Sequence, residues 1–241
     1  MKKTKHKQSN LIDFLKSSQF VLILSAEVIA GVAIVLTALS IFLKLGDDVL
    51  DKEVISFDFS IIRYIYSFRN PLMTTVMNII SFFGGELFLG GAIMVTIFIL
   101  LRKHKKNALV FSFILLFGII LNLALKNLFE RPRPQLHPLV HETSYSFPSG
   151  HSMNSFVFYF ALSYFIFLNK RNIKLGIILT IFSSILVLLI GISRIYLGAH
   201  FPSDVIAGYV AGLCWFVMVL LFEKTILLLR LVRQYKDKHA Y

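Results

Sequence analysis

Residues Ser146–Leu168 read SFPSGHSMNSFVFYFALSYFIFL. A polar segment carrying Ser149, Gly150 and His151 runs without a break into an apolar stretch that reads as a membrane-spanning helix. An ionisable side chain beside hydrocarbon is costly, so His151 needs either a partner or a substrate. Fold and function are therefore posed together at the lip of one helix.

Composition supports the membrane reading. Of 241 residues, 56% are hydrophobic and only 16% are charged, and the mean hydropathy is +0.74. A soluble domain of this length carries more charge and shorter apolar runs. The net charge of +12 does not point to nucleic acid, because the basic residues cluster between apolar runs instead of forming an aromatic-interleaved surface. Cys214 is the single cysteine and lies in an apolar run, so no intramolecular disulfide and no Cys-rich metal site is expected. The basic start MKKTKHKQ is followed by an apolar stretch too long for the core of a signal peptide, with no small-residue cleavage site after it. It reads as a retained first span.

Six long apolar runs follow one another: about Phe20–Leu43, Leu87–Leu101, Ala108–Leu125, Ser152–Leu168, Leu175–Ile192 and Val205–Leu221. Some fall slightly short of the roughly 20 residues of a spanning helix, and helix ends extend into the interface. Backbone groups in lipid must be satisfied internally, and the two-residue alternation of a barrel strand is absent, so the expected fold is all-α with six transmembrane helices. The expected organisation is a basic N-terminus over residues 1–19, a membrane domain over 20–221 and a basic tail over 222–241. Lys2, Lys3, Lys5 and Lys7, the segment RKHKK at Arg102–Lys106, NKRNIK at Asn169–Lys174 and the C-terminal tail all fall on one side of six spans. The positive-inside rule makes that side the cytoplasm and leaves the other linkers facing out.

The apolar segment Leu72–Phe83 would invert every later loop if it were a separate span. It is expected instead as an interfacial or half-buried helix before span two. Phe57, Ile61, Tyr64, Ile65 and Phe68 recur at helical spacing, predicting an amphipathic helix on the membrane after the first span, with Arg63 and Arg69 on its polar side.

Two of the outward linkers are rich in basic residues, against the topological bias. One holds Lys126, Arg131 and Arg133 and then Pro148–His151; the other holds Arg194, His200 and Asp204. A bound anion would account for them. Lys126 with Arg133–Pro134 matches K-x6-R-P, Pro148–His151 matches P-S-G-H, and Ser193–Asp204, SRIYLGAHFPSD, matches S-R-x5-H-x3-D. Together these resemble the three-part signature of the type 2 phosphatidic acid phosphatase family, membrane lipid phosphatases related to the vanadium haloperoxidases. The resemblance implies a lipid phosphatase working through a phosphohistidine at the outer membrane face, on substrates such as phosphatidic acid, phosphatidylglycerol phosphate or undecaprenyl diphosphate, and the short loops without soluble insertions favour the last two. No cofactor is expected, and no obligatory protein partner is inferred.

The chemistry of the residues agrees. A phosphate ester needs a nucleophile, an acid for the leaving oxygen and positive charge around the other oxygens. Neutral His200 can be the nucleophile, with Asp204 accepting from its other ring nitrogen, fixing the tautomer and raising its basicity. His151, protonated, can serve the leaving oxygen, and the cations around it lower its pKa, so a bell-shaped pH profile is expected. The start of the helix at Ser149–His151 offers backbone N–H groups and a positive dipole end to phosphate. Gly150 permits close approach and Ser149 adds a hydroxyl. Lys126, Arg133 and Arg194 would clamp the oxygens. The plainer alternatives are a serine cap with a chance histidine, an aspartate capping its own helix, and cations paired with Glu130 or Glu142 or with lipid headgroups. Arg131, outside the pattern, reads as a headgroup or loop contact.

His137 and His141 are too loosely spaced to build a metal site with His151 and His200, and no metal is expected. Glu27 lies inside span one, where a charge costs about 2.5–3.5 kcal/mol on insertion scales, so it is expected to be paired, protonated or turned to the bundle. Glu86, beside Gly84 and Gly85, is a candidate for lining a substrate groove. Two other functions fit parts of the pattern. Phosphotransfer to a lipid A sugar or another alcohol would use the same histidine. A lipid or ion transporter would call for inverted repeats with broken helices at the midplane, which the sequence does not show.

Overall fold

The structure, a computed structural model, describes residues 18–239. Lys2, Lys3, Lys5 and Lys7 lie outside the described residues. The described chain is helical: α1 (Ser18–Leu50), α2 (Ile55–Tyr66), α3 (Pro71–Phe82), α4 (Glu86–Lys103), α5 (Lys105–Phe129), α6 (Gly150–Lys170), α7 (Ile173–Tyr196) and α8 (Pro202–His239). Among the described residues six segments are long and apolar enough to cross a membrane: Phe20–Leu50, Pro71–Arg102, Lys105–Phe129, Gly150–Lys170, Ile173–Tyr196 and Pro202–Leu231. The number of spans is as expected, but the second differs: it takes in the apolar segment Leu72–Phe83, expected from the sequence as an interfacial or half-buried helix before span two.

Local chemistry sets several boundaries. Asn70 caps α3, its side-chain oxygen accepting from Met73 N at 2.9 Å, and Pro71 occupies the first turn, where a missing N–H costs nothing. The turn at Phe83–Gly85 divides α3 from α4, and the second candidate span covers both helices. Helix α2 is amphipathic, with Phe57 and Tyr64 exposed and Ile62 fully buried. Arg69 does not lie on its polar side. The helix ends at Tyr66, and Arg69 turns inward to donate to the Tyr196 carbonyl from Nε at 3.1 Å and from Nη2 at 2.7 Å.

Two compact units divide the chain. One comprises the described parts of Met1–Thr37 and Val217–Tyr241, and in it Lys224 Nζ contacts Glu27 Oε2 at 2.6 Å. Glu27 is thus paired, one of the outcomes its position within an apolar helix required.

The other unit, Ala38–Phe216, holds the signature residues. Its helices are joined by apolar contact and by polar side chains that answer main-chain groups. Trp215 Nε1 donates to Ile114 O at 2.8 Å, Tyr209 Oη to Val187 O at 2.9 Å, and the Ser163 and Ser183 hydroxyls pair at 2.9 Å. Phe42, Phe129 and Phe147 form an aromatic cluster behind the α5–α6 loop, with centroid separations of 4.7 to 6.0 Å. Gly208 on α8 lets the start of α6 come close, since a Cβ there would fall 2.7 Å from Ser149 O. At that contact Ser149 N donates to Asp204 O at 3.0 Å. Two parts of the signature, distant in sequence, are joined there backbone to backbone.

Candidate active site

His200 sits in the short turn between α7 and α8. Gly198, two residues earlier, has φ +77, a conformation that side chains resist, and makes the turn tight enough to bring His200 back over Arg194. The Ala199 amide donates to Arg194 O at 3.0 Å. His200 is 1% exposed and Asp204 fully buried. Nδ1 of His200 lies 3.5 Å from Asp204 Oδ2, one helical turn on, and 3.4 Å from Ser146 Oγ. Asp204 Oδ2 also accepts from Phe201 N at 2.9 Å and from the Ser146 hydroxyl. A carboxylate on Nδ1 keeps the proton there and leaves Nε2 unprotonated. Nε2 is 3.3 Å from Arg133 Nη1.

Burial and charge act on His200 in opposite senses. Removal from water pushes its pKa down, the Asp204 hydrogen bond and charge push it up, and Arg133 and Arg194 push it down. The result is about 4, below the ordinary value of 6.5. Asp204 does act in the expected direction, but desolvation of a fully buried ring is the larger effect. Arg133 is likewise held below its usual value by burial, opposed by Glu142 and Asp204.

The cations converge from separate elements. Lys126, on the last turn of α5, donates to Ser144 Oγ at 3.2 Å and to the Tyr145 carbonyl. Arg133 donates to Ser144 O at 2.7 Å, Ala199 O at 2.8 Å and Ser144 Oγ at 3.0 Å. Arg194, 4% exposed, donates to Ser81 Oγ at 2.7 Å and forms an ion pair with Glu142. Its Nε is buried and finds no acceptor among the described residues. The pairing with Glu142 was one alternative open from sequence.

A cavity of about 450 Å³ is lined by Lys126 and Arg133 but not by Arg194, whose guanidinium is held by Ser81 and Glu142. Lys126, Arg133, Glu142, Gly150, His151 and His200 line its polar end, while Leu89, Ile93, Leu115, Ile119 and Leu123 form an apolar wall from α4 and α5. Glu86 lines it as well. Gly150 packs tightly against α5, where a Cβ would stand 3.0 Å from Asn122 Oδ1. Ser149 is fully buried as the cap of α6. Its Oγ accepts from Ser152 N at 3.4 Å and from Ser152 Oγ at 3.0 Å, so its visible work is the helix start. Among the described residues no group of three His, Cys, Asp or Glu side chains gathers in a metal-holding arrangement.

One assignment is corrected. Arg131 is neither a headgroup contact nor a loose loop residue. It is 8% exposed, donates to Asp204 Oδ1 at 2.6 Å, Ser203 Oγ at 2.7 Å and Asp58 Oδ2 at 2.7 Å, and covers the Phe201 ring at 4.1 Å. Asp58, which periodicity left on a membrane-surface helix, is fully buried. The available signals were an aspartate between Phe57 and Phe59, and an Arg–Pro pair at Arg131–Pro132 directly before Arg133–Pro134.

Comparison with known proteins matches residues 107–227 to the PAP2 superfamily. The chain is 37% identical over 194 residues to phosphatidylglycerophosphatase B of Bacillus subtilis, covering 77% of this chain and 92% of that protein. It is 30% identical over 116 residues to the undecaprenyl-diphosphatase BcrC of the same organism, covering 46% of this chain and 55% of that protein. A crystal structure of a transmembrane PAP2-type phosphatidylglycerolphosphate phosphatase from Bacillus subtilis superposes with a TM-score of 0.74 at 34% identity, covering 80% of this chain and 96% of that one.

Proposed function

The chain belongs to the PAP2 superfamily and is a multi-pass membrane lipid phosphatase, and from that premise we propose that it removes the terminal phosphate of a lipid phosphate through a phosphohistidine on His200. Phosphatidylglycerol phosphate is the leading substrate and undecaprenyl diphosphate the second, an order supported by the greater identity and coverage with the first enzyme. The site faces outward and both termini are cytoplasmic, a placement supported by the basic segments Arg102–Lys106 and Asn169–Lys174 at the opposite helix ends.

The observation that carries the mechanism is the orientation of the buried His200 ring. Nδ1 faces Asp204, and Nε2 faces Arg133 in a cavity shared by Lys126, Gly150 and His151. In the first step Nε2 attacks phosphorus, a P–N bond forms, and the P–O bond to the lipid breaks. The departing oxygen takes a proton from His151. In the second step neutral His151 accepts a proton from water, the water oxygen bonds to phosphorus, and the P–N bond breaks to release inorganic phosphate. Lys126 and Arg133 supply donors for the equatorial oxygens, over which charge is spread in the transition state, and the charge of Arg194 outside the cavity lining adds to the field. The dipole end of α6 at Gly150–His151 adds to that field. Ser149 holds that end in place as its cap.

The test is phosphate release by the purified protein in detergent, from a panel of lipid monophosphates and diphosphates with a chelator present. The expected result is release from phosphatidylglycerol phosphate at a rate above the rest of the panel. Transfer of the phosphate to an added alcohol without release, or loss of turnover on chelation, would overturn the reading.

A further inference from the structure

Two buried carboxylates share one guanidinium behind the proposed nucleophile. Asp58 of α2 accepts from Ser203 N at 2.9 Å on Oδ1. On Oδ2 it accepts from Ser203 Oγ at 2.7 Å and from Arg131 Nη2 at 2.7 Å. Arg131 Nη1 reaches Asp204 Oδ1 at 2.6 Å. Oδ2, the other oxygen of that carboxylate, faces His200. Asp58 and Asp204 are fully buried and Arg131 nearly so. Asp58 lies outside residues 107–227, the part of the chain that carries the family match.

A buried ion pair is poor evidence for stability, because desolvation offsets the attraction. It is better suited to fixing geometry, and here only a planar, five-donor group can reach both carboxylates and Ser203 at once. With Oδ1 tied to Arg131, Asp204 cannot rotate away from the His200 ring. We infer that Asp58 and Arg131 are positioning residues for the reaction, holding Asp204 so that His200 keeps its proton on Nδ1 and presents Nε2 to phosphorus. This rests on His200 being the nucleophile.

The pair also sets a charge. Together Asp58 and Arg131 are neutral, so removing either alone changes the field at His200 in a defined direction. The other charged or titratable groups facing that ring are Asp204 of α8, Arg133 of the α5–α6 loop, Arg194 of α7 and His151 of α6; Lys126 of α5 and Glu142 share the cavity. None of these changes in the variants below. Asp58→Asn leaves Arg131 uncompensated, which disfavours imidazolium. Arg131→Gln leaves Asp58 uncompensated, which favours it. The double variant restores neutrality with amide hydrogen bonding in place of the ion pair.

The experiment measures kcat, KM and the acid limb of kcat/KM for the full-length protein, its His200→Ala variant, Asp58→Asn, Arg131→Gln and the double variant on one lipid phosphate. The substrate's own ionisation is common to all, so differences between variants belong to the protein. Each single variant is expected to lose roughly 10- to 100-fold in kcat, by analogy with the partners that orient metal-ligating side chains, with KM changed less than about threefold. The acid limb should rise by about one unit in Arg131→Gln, should not rise in Asp58→Asn, and should return toward that of the unmodified protein in the double variant. A limb unmoved in Arg131→Gln, or raised in both single variants, overturns the inference, as does unchanged kcat. If Arg131→Gln does not fold, the double variant and Asp58→Asn decide: a limb in Asp58→Asn no lower than in the double variant overturns it. Full turnover in His200→Ala would instead remove the nucleophile on which the inference rests.

Discussion

Nη1 of Arg133 stands 3.3 Å from Nε2 of His200, so a guanidinium occupies the direction from which the nitrogen would approach phosphorus. Under the proposed mechanism the phosphate comes between the two. One oxygen would then take the Arg133 hydrogen bond, and the freed lone pair would face the phosphorus atom. The same contact that engages the proposed nucleophile at rest would thus orient its target.

His200→Ala is expected to abolish turnover, a loss of at least about 10⁴-fold by comparison with other covalent mechanisms, while the protein still inserts and purifies. Rapid quench of the unmodified protein with phosphate-labelled substrate should trap acid-labile protein-bound label, and the variant should trap none. Label that persists in the variant would place the covalent step on another residue.

The acid limb of kcat/KM is expected below the ordinary histidine range. Burial places His200 at about 4 in the free protein, so its neutral form is present above that pH and is lost as pH falls through it. A lipid phosphate adds a limb of its own near 6, which two substrates of different phosphate acidity will separate. A protein limb at 6.5 or above, insensitive to the substrate, would contradict the desolvated site described here.

His151→Ala should spare substrates with good leaving groups. An aryl phosphate needs little help at the departing oxygen and should lose less than about tenfold, whereas a lipid phosphate should lose on the order of 10²–10⁴-fold. Equal losses on both would assign His151 to phosphate binding.

Cysteine labelling tests orientation. After replacement of Cys214, a membrane-impermeant thiol reagent should reach a cysteine placed at Gln135 in intact cells, and one placed at Asn172 only after permeabilisation. Both positions are exposed in loops between helices. The reverse pattern would put the site in the cytoplasm.

Much of this organisation was legible in the chain. Long apolar runs and their basic separators predict six spans, because lipid leaves the backbone no option but to satisfy itself locally. His200 and Asp204, one helical turn apart, could be read as a pair for the same reason: their contact is local. The Asp58–Arg131–Asp204 bridge could not. It joins residues 73 positions apart on either side of Arg131, and no periodicity in α2 distinguishes a buried aspartate from a solvated one. Ser149 shows the converse. Its sequence pattern suits both a helix cap and a phosphate donor, and only the Ser152 contacts show where its hydroxyl is engaged.

The cavity has one wall of Leu89, Ile93, Leu115, Ile119 and Leu123 and an opposite end of Lys126, Arg133 and His200. A substrate that spans it is amphiphilic, but the two products are not equally so. Inorganic phosphate is at home only in water, and the dephosphorylated lipid belongs in the bilayer. Each is therefore diluted into a separate phase on leaving. Recombination would need both to return to the same cavity, one from water and one from the bilayer, so the two phases oppose it by sorting what the reaction makes.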